Sequence, residues 1–210
     1  MQDFSNITWD RVFERQRQRE GLVGDWLDGL GLKPGDRVLD IGAGPGFVSL
    51  QAAARVGEHG LVYAVDTSGE ALAFLERLQG EQGVPQIRRI TADAATLEPL
   101  GDAIGAALVT MMLHHVHDPA AVLRHVVELL TDDGRIVVAE FHPDGPCDVG
   151  PPRERRIAPE KVEAWGGLVG LRPIRFTRQS PEHYMFVLQK SPHLGRGQAA
   201  APASGSSVTP

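Results

Sequence analysis

Three carboxylates and a glycine turn mark the part of this chain where chemistry can happen. Val38 to Gly46 reads Val-Leu-Asp-Ile-Gly-Ala-Gly-Pro-Gly, a buried strand that breaks into a turn and then opens a helix. Glycine at Gly42, Gly44 and Gly46 lets the backbone bend sharply and approach a ligand with no Cβ in the way. A dinucleotide site wants G-x-G-x-x-G. Here the third glycine comes one residue early, and Phe47 holds the position that pattern reserves for Gly or Ala. Asp40 precedes the turn, and its charge favours a cationic ligand. Asp66 closes the next strand-like run, and Asp93 follows the one after that. A carboxylate at Asp66 can accept from both hydroxyls of a ribose. Asp93 can accept from an adenine amino group while the Ala94 N–H donates to the ring. Each acid also has a plainer reading as a helix cap; Thr67 can take that duty from Asp66. Three acids in succession, each just beyond a strand, point instead to one ligand crevice.

Two further groups of side chains carry chemistry. His114, His115 and His117 cluster after the fourth strand-like run, and His142 follows the fifth. His114, His115 or His142 could serve as general base for a hydroxyl acceptor. Together with Glu140 they could also hold a metal, although packing around the crevice mouth is the plainer reading and no metal is expected. Arg11, Arg15, Arg17 and Arg19, then Arg153, Arg155 and Arg156, are solvated surface in the plain reading. In the functional one they favour an acidic or oxygen-rich acceptor.

Positioning these residues takes alternating strands and helices from about 37 to 170, the order of βαβ units and a parallel sheet. Strands are expected near 37–41, 61–65, 87–91, 106–112 and 135–141. Their aliphatic content suits burial on both faces. Thr67-Ser68-Gly69-Glu70 has capping-box spacing for a helix near 69–80. Asp118-Pro119 supplies an N-cap and a first-position proline for a helix to about Leu130. Asp132-Asp133-Gly134 then turns the chain into the fifth strand. Residues 3–30 read as helical. A proline- and glycine-rich loop runs from His142 to Pro152, followed by a helix near 159–169 and strands near 172–178 and 183–189, joined as a hairpin by Ser180-Pro181-Glu182. The chain reads as one domain over 1–190, with 1–30 as a helical cap, and 191–210 as a disordered tail.

The bulk numbers exclude several classes. With 210 residues and 42% hydrophobic content, the chain can bury a sizeable core. A single cysteine, Cys147, excludes a disulfide framework within one chain and fits a reducing, cytoplasmic setting. The polar start lacks a secretory pattern, and no apolar run reaches the ~18 residues of a membrane span. A net charge of −6 argues against general nucleic-acid binding.

Residues 21–141 resemble the core of a class I S-adenosylmethionine (SAM) methyltransferase, of the type 11 small-molecule group. The resemblance rests on Leu32-Lys33-Pro34-Gly35-Asp36-Arg37 running into the glycine turn, on Val65-Asp66 and Ala92-Asp93-Ala94, and on Leu113-His114-His115-Val116 and Leu130-Thr131-Asp132-Asp133-Gly134-Arg135. It implies a Rossmann-like three-layer α/β sandwich around a seven-stranded, mostly parallel sheet with an antiparallel last strand. It implies SAM as cofactor, held by Asp40, Gly42, Ala43, Gly44, Gly46, Asp66, Thr67, Asp93 and Ala94. Thr110 and Met111 would lie against the methionyl part. The chain departs from the family at Gly105, where an acid is usual, and at Asp132-Asp133, where Pro-Gly is usual. No Asn/Asp-Pro-Pro-aromatic motif follows the fourth strand, which disfavours amide and nucleobase nitrogens as targets. The lone cysteine disfavours arsenic. The expected reaction is methyl transfer to an oxygen, nitrogen or carbon of a small molecule. The alternatives are a non-catalytic SAM-binding sensor or partner subunit and, against the evidence of Phe47, an NAD(P)-dependent oxidoreductase.

Overall fold

The computed structural model describes residues 8–191. The expected tail and the first residues of the expected N-terminal helix lie outside them. Helices α1 (Trp9–Arg17) and α2 (Glu20–Leu30) lead into β1 (Arg37–Ile41), α3 (Phe47–Val56), β2 (Leu61–Asp66), α4 (Gly69–Gln82), β3 (Ile87–Thr91) and β4 (Ile104–Thr110). Then come α5 (Pro119–Leu129), β5 (Leu130–Phe141), α6 (Pro159–Leu168), β6 (Leu171–Arg178) and β7 (His183–Lys190). The seven strands form one sheet in the order β3-β2-β1-β4-β5-β7-β6. All neighbours from β3 to β5 pair in parallel, and β7 runs antiparallel to both β5 and β6. The order reverses between β1 and β4, which in such sheets opens a crevice beyond the strand carboxyl ends.

Alternation along each strand feeds two cores. Val38, Val62, Ala64, Leu108 and Val137 face one layer with α2, α3 and α4. Leu39, Ile41, Tyr63, Ala107, Val109 and Val138 face the other, with α5 and α6. Burial on both faces is why these strands read as continuous apolar runs rather than as an apolar–polar alternation.

The expected N-terminal helix is two helices. α1 packs on α3, whereas α2 packs on α3 and also reaches the sheet at β4, β5 and β7. One straight rod cannot lie on both surfaces, and the chain bends at Gln18–Arg19. The side chain that caps α4 is Ser68, which accepts from the Ala71 amide at 3.2 Å; Thr67 is exposed. Asp118 caps α5 as expected, accepting from Ala121 at 3.0 Å. The fifth strand begins earlier than expected, at Leu130, which pairs with Ile104; the ladder then jumps to Arg135 opposite Ala106. The residues expected to form a turn, Asp132-Asp133-Gly134, therefore lie inside a strand irregularity.

Candidate functional site

The glycine turn joins β1 to α3 at the point of strand-order reversal. Gly42 and Gly46 adopt φ of +72° and +87°. A Cβ on Gly42 would lie 2.7 Å from Met112 Cβ, and one on Gly46 would overlap the Leu75 side chain. Both positions therefore need glycine for conformation and for space. Gly44 donates to Oδ2 of Asp66 at 2.8 Å, and the Ser68 amide donates to Oδ1 at 2.8 Å. The β2 tip is thus tied to the turn. Asp93 stands beyond the adjacent β3, exposed, with Oδ1 accepting from Ala95 at 2.9 Å; Ala94 is buried. The two strand tips are joined directly by the Ala92 amide donating to the Asp66 carbonyl at 3.1 Å. Asp66, Asp93 and the turn share one edge of the sheet.

Asp40 sits differently from an exposed charge facing a cation. Its parity places it on the α3 side of β1, where Ser49 Oγ donates to it at 2.6 Å, and it is 1% exposed. Burial pushes its carboxyl up to about 7. It is an acid under the turn, poised between two protonation states near neutral pH.

On the other side of the crevice stand the residues after β4. Thr110 is buried and Met111 adopts φ of +54°, an uncommon conformation for a bulky side chain and one that clusters at functional sites. A short 3-10 turn, Leu113–His115, follows. His114 Nδ1 lies 2.7 Å from Oε2 of Glu140, and the side chains of His114 and Glu140 are 3% and 0% exposed. The Phe141 amide donates to the same carboxylate at 3.3 Å. A carboxylate acceptor at Nδ1 places the ring proton there and leaves Nε2 as a base. His115 packs on His114 with ring centroids 4.0 Å apart. His142 accepts at Nδ1 from the Asp144 amide at 3.1 Å, and its ring meets the edge of Tyr184, so it braces the following loop. Among the described residues no group of three or more His, Cys, Asp or Glu side chains is placed to hold a metal.

The arginines divide. Arg156 is buried in an ion pair with Glu182 and donates to the Val149, Pro151 and His142 carbonyls. Arg153 donates to the carbonyls of Pro143 and Gly145. These two fasten the 142–157 loop, and Arg156 is buried in doing so. Arg19, at the α1–α2 bend, lines a small cavity of about 20 Å³ together with Gln16, Val23, Trp26, Val48, Thr110 and Met111. A larger cavity, about 510 Å³, lies at the amino end of β4 between Leu97, Asp102, Ile104 and His125. It is at the wrong end of the strands for the turn and the acids, and none of those residues lines it.

Gln16 went unnoticed in the sequence. Its Oε1 accepts from the Phe47 amide at 3.1 Å and its Nε2 donates to the Ala43 carbonyl at 3.3 Å. No pattern flags a glutamine on a helix whose apolar points are few.

Residues 38–134 match the family described as "Methyltransferase domain". Over that stretch the chain is similar to a methyltransferase domain. Over 121 residues it is 37% identical to the ubiquinone biosynthesis O-methyltransferase of Aeromonas salmonicida, covering 56% of this chain and 49% of that protein. It is 32% identical over 145 residues to the 2-phytyl-1,4-naphtoquinone methyltransferase of Trichormus variabilis, covering 62% and 63%. The chain thus spans about half to two thirds of the length of these two curated relatives. The fold is that of a SAM-dependent methyltransferase from Aquifex aeolicus, with TM-score 0.78 at 19% identity, covering 88% of this chain and 99% of that one. A 1,6-didemethyltoxoflavin N1-methyltransferase from Burkholderia thailandensis, solved with S-adenosylhomocysteine, superposes with TM-score 0.68 at 21% identity, covering 86% and 81%. Among the described residues no helix is long and apolar enough to cross a membrane.

Proposed function

We propose that this protein transfers a methyl group from SAM to a small-molecule acceptor in the crevice beyond β1 and β4. One observation carries the reading: the Asp66 carboxylate, at the β2 tip, is bound to the glycine turn through the Gly44 amide, with the Asp93 tip beside it. The donor set fits the cofactor. Asp66 accepts from ribose hydroxyls, with Thr67 beside it. Asp93 and the Ala94 amide meet the adenine. Gly42, Ala43, Gly44 and Gly46 let the backbone close on the methionyl chain, with Thr110 and Met111 opposite and Asp40 beneath. SAM supplies a methyl group already activated on a sulfonium.

The rest falls to the chain's own residues. Helix α1 and the α1–α2 bend cover the crevice, exclude water and hold the acceptor in line, and alignment of this kind contributes ~7–11 kcal/mol to a barrier. His114, oriented by Glu140, accepts the acceptor's proton at Nε2. The O-methylation named for the ubiquinone-biosynthesis relative is compatible with such a base, since a hydroxyl acceptor becomes a good nucleophile on losing its proton.

The test is calorimetric binding of SAM, followed by transfer of labelled methyl to a panel of phenols, amines and activated carbon acids. Binding with transfer to a panel member is the expected result. Tight SAM binding with no transfer across the panel would make the protein a sensor or partner subunit. Binding of NADH in place of SAM would sink the reading altogether.

A further inference from the structure

We propose that Arg19 and His183 form the anion-holding end of the acceptor pocket, and that the acceptor carries an anionic oxygen, a carboxylate or a phenolate. The inference rests on the methyl-transfer reading of the same crevice and adds to it the chemical class of the substrate.

The backbone of Arg19 is pinned at the α1–α2 bend. Its amide donates to the Gln16 carbonyl at 3.0 Å, and its own carbonyl accepts from Leu22 at 2.8 Å and Val23 at 3.0 Å. The side chain lies over Phe141, with Cζ 5.4 Å from the ring centroid, as does the loop-fastening Arg156. Among the described residues its guanidinium makes no hydrogen bond and no ion pair, whereas Arg153, Arg156 and Arg178 are all bonded to carbonyls or carboxylates. Burial, with Arg15 nearby, draws its pKa down. Glu140 is the acid near it, and that carboxylate is committed to His114 and to the Phe141 amide. Five donors in a fixed fork therefore have one carboxylate nearby, Glu140, whose own hydrogen bonds go elsewhere.

His183 meets the same ring from β7, with centroids 4.8 Å apart, and is 8% exposed. Its tautomer follows from its neighbours. Ser180 Oγ accepts from the amides of Glu182 and His183, both at 3.1 Å. The hydroxyl proton is then free to point at His183 Nδ1, 2.9 Å away. With Nδ1 accepting, a neutral ring carries its proton on Nε2. Burial, followed by the Arg19 charge, holds the pKa down at about 4, so the ring is neutral. Nε2 is the single buried side-chain nitrogen or oxygen without a partner among the described residues. An unpartnered buried donor costs stability unless something accepts from it.

A charged fork and a neutral N–H, both against Phe141, suit a ligand oxygen that is anionic, since the nearby carboxylates Glu140 and Glu182 are bonded to His114 and Arg156. A neutral ligand would leave Arg19 desolvated and unpaired. Arg19 also lines the small cavity with Thr110 and Met111, which puts the anion-holding end next to the methionyl side of the crevice.

The test uses the full chain with S-adenosylhomocysteine bound and measures affinity for benzoate and salicylate against their methyl esters. The acids are expected to bind about tenfold or more tighter than the esters, the scale of a charge-assisted bond. Arg19→Gln is expected to erase that preference. His183→Phe should cut it several-fold, and His183→Gln, which restores a donor, should recover it. S-adenosylhomocysteine affinity should stay unchanged in the two His183 variants. Equal binding of acids and esters, or an Arg19→Gln variant that still prefers acids, overturns the proposal. The comparison is repeated without S-adenosylhomocysteine. A protein that prefers acids but never binds that nucleoside would refute the methyl-transfer reading and leave the anion site standing.

Discussion

The Gly44 amide and Oδ2 of Asp66 are 2.8 Å apart, and Oδ1 of the same carboxylate takes the Ser68 amide at an equal distance. One side chain thus locks the glycine turn to the start of α4. Asp66→Ala removes both bonds. SAM binding should weaken by about 1.5–3 kcal/mol, the scale of losing hydrogen bonds to a charged group. Titration calorimetry on the variant measures this, and an unchanged affinity would exclude Asp66 from the site.

Gly46→Ala tests the turn from the other side. The new methyl would sit at φ +87° and overlap Leu75. A left-handed residue costs roughly 1–2 kcal/mol and overpacking about 1–3 kcal/mol. Urea denaturation should therefore show a loss of about 2–5 kcal/mol. A variant as stable as the parent would mean the turn relaxes freely.

The pair His114 and Glu140 bears on the chemistry. Removing the base with His114→Gln should lower turnover of a phenolic acceptor ~10²–10⁴-fold, the range for general-base catalysis. Affinity for SAM should hold. If turnover survives, alignment alone drives the step and the pair is structural.

Asp40 gives a pH signature. Burial raises its folded pKa to about 7, well above its ordinary value of 3.8. The folded state therefore binds the proton more tightly than the unfolded chain does. Its stability contribution is complete below about 3.8 and is lost as pH rises towards about 7, at roughly 1.4 kcal/mol per pH unit. Asp40→Asn cannot titrate. Denaturation curves of the two proteins should diverge between about pH 4 and pH 7, with the parent losing ground. Curves that run parallel across that window would show Asp40 to be solvated.

Much of the architecture was legible because each strand is covered on both faces and each linking helix announces its start. Asp118-Pro119 and the glycine turn needed no tertiary information. What escaped the sequence depends on packing. The bend at Gln18–Arg19 exists because two neighbouring helices lie on different surfaces, and Leu130 joins the sheet through one pairing with Ile104. At the site, arginines of one composition split into loop fasteners and others, Arg19 among them, that make no side-chain hydrogen bond or ion pair among the described residues. Only the position of Glu182, far along the chain, decides that Arg156 is a fastener. His183 drew no notice because its importance lies in the tautomer that Ser180 imposes.

Gln16 reaches down from α1 and grips both Ala43 and Phe47. That grip makes the cover and the nucleotide seat beneath it mechanically one piece. A guest that takes the Phe47 amide must loosen the cover, and a guest that spares it leaves the cover latched. Loading on one side is therefore felt on the other, which favours an obligatory order of arrival over random access. Amide exchange in α1 reads this directly: it should quicken in Gln16→Ala, and a rate equal to the parent's would show that the latch carries no tension.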